Sequence, residues 1–255
     1  MKAILLGSGT STGVPRVGGD WGQCDPNEPR NRRTRVSAIV EAGGKRILID
    51  TSPDLRQQLL TNGIGSVDAV LWTHDHADHC HGIDDLRVMR FDRSNPIPGF
   101  GSPRTCTKLR RRFDYVFAGQ YGYPTIVDLK EIEGARLIFG LQVRSVEMPH
   151  GDHMSSTGFV VETGGKSIGY ATDFSQITDA MRTVFSGVDL LFCDCLRRTP
   201  HPTHASLDLA LELAKVSKAR KTVLMHLDKS MDYATLSAEL PSKIHVGYDG
   251  MEIHL

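Results

Sequence analysis

One segment of this chain occurs twice. Val40-Glu-Ala-Gly-Gly-Lys-Arg-Ile47 returns 121 residues later as Val161-Glu-Thr-Gly-Gly-Lys-Ser-Ile168. Each copy sets two β-rich runs around Gly-Gly, which reads as a hairpin. The same spacing carries Val67-Asp68 and the apolar run behind it onto Val188-Asp189 and Leu190-Leu-Phe192, and the helical stretch after Ser52 onto one after Asp173. Hairpin, helix and strand at one unbroken offset point to a duplicated unit. Two such halves predict two packed sheets with helices outside, an α/β architecture. In that arrangement Thr51 matches Thr172, both strands end near a shared axis, and Asp173 lies close to whatever the first half presents there.

What the first half presents is Thr73-His74-Asp75-His76-Ala77-Asp78-His79, three histidines and two aspartates in seven residues. The apolar run Asp68-Ala-Val-Leu-Trp-Thr73 leads into it and reads as a buried strand. The histidines therefore fall in the loop at a strand's C-terminal end, where α/β folds place their chemistry. Imidazole nitrogens and carboxylate oxygens are ligands for zinc and similar divalent ions. A solvated polar turn accounts for one histidine; three at this density beside aspartates point to metal. Further ligands are expected from three other strand ends: His150 after Val143–Met148, Asp173 after Ser167–Thr172, and His226 after Thr222–Met225.

Composition narrows the partners. Thirty basic residues balance thirty acidic ones in 255, which argues against a surface built for long nucleic acid but leaves room for a small phosphorylated substrate. At 40% hydrophobic the chain can bury a sizeable core. No apolar run has the length of a membrane span. Met1-Lys-Ala-Ile-Leu-Leu-Gly7 stops too early for a secretory signal and reads as a first strand. Five cysteines, Cys24, Cys80, Cys106, Cys193 and Cys195, form no disulfide framework, and the expected location is a reducing cytoplasm.

Between these landmarks the reading is coarser. Gly7-Ser-Gly-Thr-Ser-Thr-Gly13 is either an anion-binding loop, offering backbone N–H groups, or a mobile connector. Arg30, Arg32, Arg33 and Arg35 read as a solvated charge run. Pro53 opens a helix through about Leu60, and His81–Arg90 looks helical. Residues 95–103 are Pro/Gly-rich loop with a short strand, before a basic helix containing Arg110, Arg111 and Arg112.

His-x-His-x-Asp-His followed by a distant His, Asp and His resembles the metallo-β-lactamase superfamily of dinuclear hydrolases. The resemblance covers almost the entire chain, taken as one domain spanning residues 1–255, and it implies a four-layer αββα sandwich of two similar halves. By motif position, one metal would take His74, His76 and His150, the other Asp78, His79 and His226, and Asp173 would bridge both. Gly7–Pro15, Leu48–Arg56, His81–Asp85 and Gly247–Glu252 are similar to the PhnP-type phosphoribosyl 1,2-cyclic phosphate phosphodiesterases. In that family a histidine at the place of His204 helps protonate the leaving group; read as an isolated residue, His204 would only start a helix before Ser206. Several relatives hold a further structural zinc with clustered N-terminal cysteines and a histidine after the last catalytic one. Here residues 14–33 contain only Cys24, and Lys229 stands near the expected histidine, so no structural third zinc is expected.

The expected function is then metal-dependent hydrolysis of a small cyclic phosphodiester, such as 5-phosphoribosyl 1,2-cyclic phosphate or a 2′,3′-cyclic nucleotide. It would proceed by attack of a metal-bridging hydroxide, with Asp78 and His204 as catalytic residues. Two divalent ions per chain, zinc or manganese, are the expected cofactors. The substrate would be a small phosphorylated ribose or nucleotide, with no membrane partner and a homodimer implied only by the family. Ser8, Thr10, Arg87 and Ser206 are candidate neighbours of a substrate pocket that the sequence does not identify. The alternatives are a tRNA 3′-processing endonuclease, which would need a Gly/Pro-rich arm, and a non-catalytic metal- or nucleotide-binding protein. Thioester hydrolysis is disfavoured by the short tail after His226, and lactam hydrolysis by the lack of an export signal.

Overall fold

Two seven-stranded sheets make the frame of this computed structural model, which describes residues 1–120 and 122–255. The first sheet contains β1 (Lys2–Gly7), β2 (Ser37–Ala42), β3 (Lys45–Ile49), β4 (Ala69–Trp72), β5 (Ile97–Gly101) and β6 (Val127–Glu131). The second contains β7 (Ala135–Ile138), β8 (Leu141–Pro149), β9 (Ser155–Thr163), β10 (Lys166–Ala171), β11 (Leu190–Asp194), β12 (Lys221–Met225) and β13 (Ile244–Val246). The final strand, β14 (Met251–His254), returns to the first sheet beside β1. The spatial orders are β14-β1-β2-β3-β4-β5-β6 and β13-β12-β11-β10-β9-β8-β7.

The duplication read from the sequence is present residue by residue. Gly43-Gly44 and Gly164-Gly165 turn their hairpins at φ of 57° and 71°, and of 56° and 72°. Both residues of such a two-residue turn need positive φ, which glycine adopts without strain. Ile47 pairs with Val40 and Ala69; 121 residues on, Ile168 pairs with Val161 and Leu190. Asp68 accepts the Arg46 N–H at 2.9 Å and Asp189 accepts the Ser167 N–H at 2.9 Å, again the same positions. The match slips by two residues at the strand ends. Ser37 Oγ donates to the carbonyls of Ile49 and Asp50, whereas Ser156 Oγ donates to those of Thr172 and Asp173. The structural counterpart of Asp173 is therefore Asp50, and the expected pairing of Thr51 with Thr172 is corrected by that slip.

The central strands are short and apolar because both of their faces are covered. On β4, Ala69 and Leu71 join the core between the sheets, packed with Ile49, Phe159, Tyr170 and Phe192. Val70 and Trp72 face the other way, into a layer closed by helices α1 (Leu55–Thr61), α2 (Ala77–Cys80), α3 (Leu86–Phe91), α4 (Pro103–Arg112) and α5 (Asp114–Ala118). The second sheet is covered by α6 (Asp179–Val184), α7 (Leu207–Ser217) and α8 (Tyr233–Glu239) through Met181, Leu213 and Leu236. The result is the four-layer αββα sandwich expected.

Two loop readings need correction. In the glycine-rich loop after β1, Ser8 N–H and Oγ donate to Asp249 at 2.8 Å, Gly9 N–H to Thr34 O and Thr10 N–H to Leu227 O. Its Ser8 end binds the chain's own Asp249 side chain. Within the arginine run, Arg33 is 2% exposed. Its guanidinium donates to the Met231 and Asp228 carbonyls, to Asn31 Oδ1 and to Cys24 Sγ. Four fixed acceptors, three of them carbonyl oxygens, make burial of this charge tolerable.

Candidate metal centre

The expected site residues lie at the C-terminal ends of strands from both sheets. His74 follows β4, His150 follows β8, Asp173 follows β10 and His226 follows β12. Asp173 and His226 leave their strands at positive φ, 56° and 63°, as does Asp50 after β3 at 61°. Non-glycine residues rarely adopt this region, and its recurrence at three strand ends around one point marks a constrained site. The histidine stretch is not wholly loop: Asp78 and His79 sit on the short helix α2. A main-chain bond from Thr157 N–H to Thr73 O, 2.8 Å, ties the two sheets together here.

The ligand atoms converge. Asp173 points one oxygen at each of two groups. Its Oδ2 lies 3.7 Å from His74 Nε2 and 3.6 Å from His150 Nε2, while His76 Nδ1 faces His150 Nε2 at 3.4 Å. Its Oδ1 lies 3.3 Å from His79 Nε2 and 3.6 Å from His226 Nε2, and Asp78 Oδ2 is 3.3 and 3.5 Å from the same two nitrogens. His74, His76, His150 and Asp173 each offer a ligand atom within 4.8 Å of the others, and so do Asp78, His79 and His226. The arrangement fits divalent ions by a test independent of motif: Nε2 of His74 and of His79 are buried without a hydrogen-bond partner. Such lone pairs are costly to bury unless something binds them.

The outer faces of the rings explain why those lone pairs point inward. His150 Nδ1 donates to Thr203 O at 2.6 Å, and a carbonyl can only accept, so the proton is on Nδ1 and Nε2 is free. His79 Nδ1 meets Asp50 Oδ2 at 2.8 Å. Thr73 Oγ1 donates to Asp50 and accepts from His74 Nδ1 at 3.0 Å. A partner on the far ring nitrogen, carboxylate or carbonyl, is the usual support of a metal-binding histidine.

Charge tells the same story. Burial works against a proton on His79, but Asp173, Asp78 and Asp50 outweigh it and raise that pKa well above the ordinary range. For His226 burial is likewise overcome by Asp173, Asp78 and Asp194, which push it up to about 9. A field that recruits protons onto buried imidazoles is one that attracts cations.

His204, buried but for an edge, completes the cluster. Its Nδ1 lies 3.6 Å from Asp173 Oδ2 and 3.5 Å from Asp194 Oδ2, and its ring stacks on that of His226 with centroids 4.8 Å apart. All eight sequence-predicted residues thus meet in one place. Two others escaped sequence reading, Asp50 and Asp194, both fully buried at strand ends. Asp194 accepts the Ala205 N–H at 3.0 Å, fixing the segment that carries His204, and its Oδ1 is 3.4 Å from His226 Nδ1. Their only sequence signal was an aspartate closing an apolar run. The candidate pocket residues fare worse. Ser8 is buried on Asp249, Thr10 is buried in the same loop, Ser206 caps α7, and Arg87 pairs with Asp84 on α3.

The profile of the beta-lactamase superfamily domain matches residues 45–227. A solved structure of a diphosphatase from the PhnP family is 36% identical, with a TM-score of 0.89 over 99% of this chain and 97% of its own. An octanoyltransferase of Porphyromonas gingivalis is 36% identical over 99% of this chain but only 51% of its own length, so the chain spans about half of that relative. Zinc-bound PqqB from Methylobacterium extorquens is 22% identical, with a TM-score of 0.77 over the whole of both chains, a likeness of fold.

Proposed function

This chain belongs to the beta-lactamase superfamily, and from that premise we propose that it is a metal-dependent phosphodiesterase acting on a small cyclic phosphodiester. The observation that carries the reading is the split of Asp173, whose two oxygens serve two separate ligand groups 3.3–3.7 Å away. His74, His76 and His150 would hold one ion, Asp78, His79 and His226 a second, and Asp173 would bridge them. Such ions supply Lewis acidity toward phosphoryl oxygens and make a nucleophile of water near neutral pH.

The chain's own residues do the rest. Asp50, Thr73 and the Thr203 carbonyl hold the imidazoles in the tautomer that turns a lone pair inward. Asp78 sits at the edge of the centre with one oxygen toward His79 and His226. His204, oriented by Asp194, stands beside the cluster as the group to protonate the departing oxygen.

The diphosphatase relative supports phosphoester chemistry. The octanoyltransferase name belongs to a protein about twice as long. Burial raises the pKa of all five thiols, with Cys80 pushed up to about 12 and Cys106 up to about 11. The test is steady-state hydrolysis of 5-phosphoribosyl 1,2-cyclic phosphate, a 2′,3′-cyclic nucleotide and a tRNA precursor by protein loaded separately with zinc and manganese. Preference for a small cyclic diester supports the proposal. Cleavage of the tRNA precursor alone, or no turnover with metal bound, overturns it.

A further inference from the structure

Three residues before His204 stands a histidine that the metal centre does not use. His201 is half-buried, and its ring centroid lies 5.2 Å from that of His204. The same His204 ring lies 4.9 Å from that of His150 and 4.8 Å from that of His226. His201 therefore stands at the rim of the cluster, beside the proposed proton donor.

Thr203 sets the orientation of this ring. Its N–H lies 3.3 Å from His201 Nδ1 and its Oγ1 lies 3.1 Å from the same nitrogen, while its carbonyl accepts from His150 Nδ1 at 2.6 Å. A backbone N–H can only donate, so His201 Nδ1 accepts, and the single proton of the ring is on Nε2. Burial and the neighbouring His204 lower the His201 pKa, which keeps the ring neutral. Both hydrogen bonds of this ring among the described residues fall on Nδ1, which leaves the Nε2–H uncommitted. The segment that carries it is braced. Arg197 donates to Thr199 O and Pro200 O at 3.3 and 2.9 Å, Leu196 N–H bonds Ala205 O at 2.9 Å, and Ala205 N–H bonds Asp194. A donor fixed in this way loses little freedom when it meets an acceptor.

We infer that His201 is a second contact to the departing oxygen, donating a hydrogen bond from Nε2–H while His204 delivers the proton. A hydrogen-bonded oxygen lies about 4 Å from the centroid of the imidazole that donates to it, so two rings 5.2 Å apart can share one oxygen. In the hydrolysis a water-derived oxygen bonds to phosphorus, the ester P–O bond breaks, and its electron pair stays on the departing oxygen. His204 supplies the proton to that oxygen. The His201 proton remains on its own ring and offsets the negative charge as it develops. The contact counts most for a sugar alkoxide and least for a phenolate that spreads its own charge. This inference rests on the phosphodiesterase reading above.

The test sets a cyclic sugar diester, adenosine 2′,3′-cyclic phosphate or 5-phosphoribosyl 1,2-cyclic phosphate, against bis(p-nitrophenyl) phosphate on metal-loaded protein. His201→Ala should lower kcat on the cyclic diester by about 30-fold, the size of one hydrogen bond to a charged oxygen. On the aryl diester the loss should be about 3-fold, with metal content per chain unchanged. His201→Gln, whose amide keeps an N–H near the Nε2 position, should recover most of the loss on the cyclic diester. A residue that only supports the site lowers both substrates alike and is not rescued. Equal losses on the two substrates, or Ala and Gln variants alike on the cyclic diester, would overturn the contact. Where wild type turns over the cyclic diester but not the aryl one, the Gln rescue decides alone. No turnover of either cyclic diester by wild type removes the phosphodiesterase reading and this inference with it, whereas an active wild type with equal losses removes this inference alone.

Discussion

Asp50 Oδ2 lies 2.8 Å from His79 Nδ1, with both side chains fully buried. The aspartate closes β3 and the histidine rides on α2, so the bond couples a strand end to the helix that carries two of the inferred ligands. Asp50 also accepts from Thr73 N–H at 2.8 Å and from Thr73 Oγ1, which in turn meets His74. One carboxylate thus orients a ligand of each inferred ion. Asp50→Asn keeps the shape but offers only one accepting oxygen. Metal affinity should fall by about 10- to 100-fold, read by competition with a chromophoric chelator.

His204 separates a proton donor from a ligand. It stacks on His226 at 4.8 Å, and its Nδ1 approaches two carboxylates. His204→Ala should lower turnover by about 100- to 10,000-fold with metal content per chain unchanged. Loss of an ion in this variant would make it a ligand instead.

Arg33 predicts a fold-level loss far from the metal centre. Its guanidinium is the common donor to Met231 O at 2.6 Å, Asp228 O at 3.3 Å and Asn31 Oδ1 at 3.3 Å. Arg33→Ala removes that donor and leaves a cavity. Unfolding in urea should show a loss of about 3 kcal/mol. A change below about 0.5 kcal/mol, the size of a surface substitution, would mean that the arginine is solvated after all.

Asp232 makes the acid side of stability testable. It caps α8, accepting from the Thr235 N–H at 2.9 Å, from Asn31 Nδ2 at 2.7 Å and from the Asp25 N–H at 3.2 Å. Burial raises its carboxyl, but these hydrogen bonds outweigh burial and hold it down at about 2. The folded pKa lies below the unfolded value of about 3.9. The stabilisation is therefore full above about pH 4 and is lost as pH falls through about 2. Asp232→Ala should cost about 1 kcal/mol at neutral pH, and the gap to wild type in denaturant titrations should narrow at about pH 3. A gap that is constant with pH would contradict this.

The fold was legible because the hairpin glycines and the strands behind them repeat, and glycine pairs and apolar runs are local signals. Seven of the eight site residues were legible because each stands at the end of such a run or within one dense cluster, and His204 was reached only through the family resemblance. What was not legible depends on distant partners. Asp50 meets a histidine 29 positions away, and the Ser8 N–H meets a carboxylate 241 positions away. No window of sequence shows either encounter. Arg33 looked solvated in a charge run because the carbonyls that receive it come from a segment 195 and 198 positions on. The two-residue slip that makes Asp50 the counterpart of Asp173 is set by where each strand ends, which an ungapped repeat does not record.

The central claim is that the two ligand groups joined by Asp173 act as one dinuclear phosphodiesterase centre. Chelator-stripped protein should be titrated with manganese, and separately with zinc, while hydrolysis of 5-phosphoribosyl 1,2-cyclic phosphate and bound metal per chain are followed together. The account predicts that activity returns as about two ions bind per chain, and that Asp173→Asn prevents the return. Two bound ions with no hydrolysis, or full activity unaffected by Asp173→Asn, would contradict it.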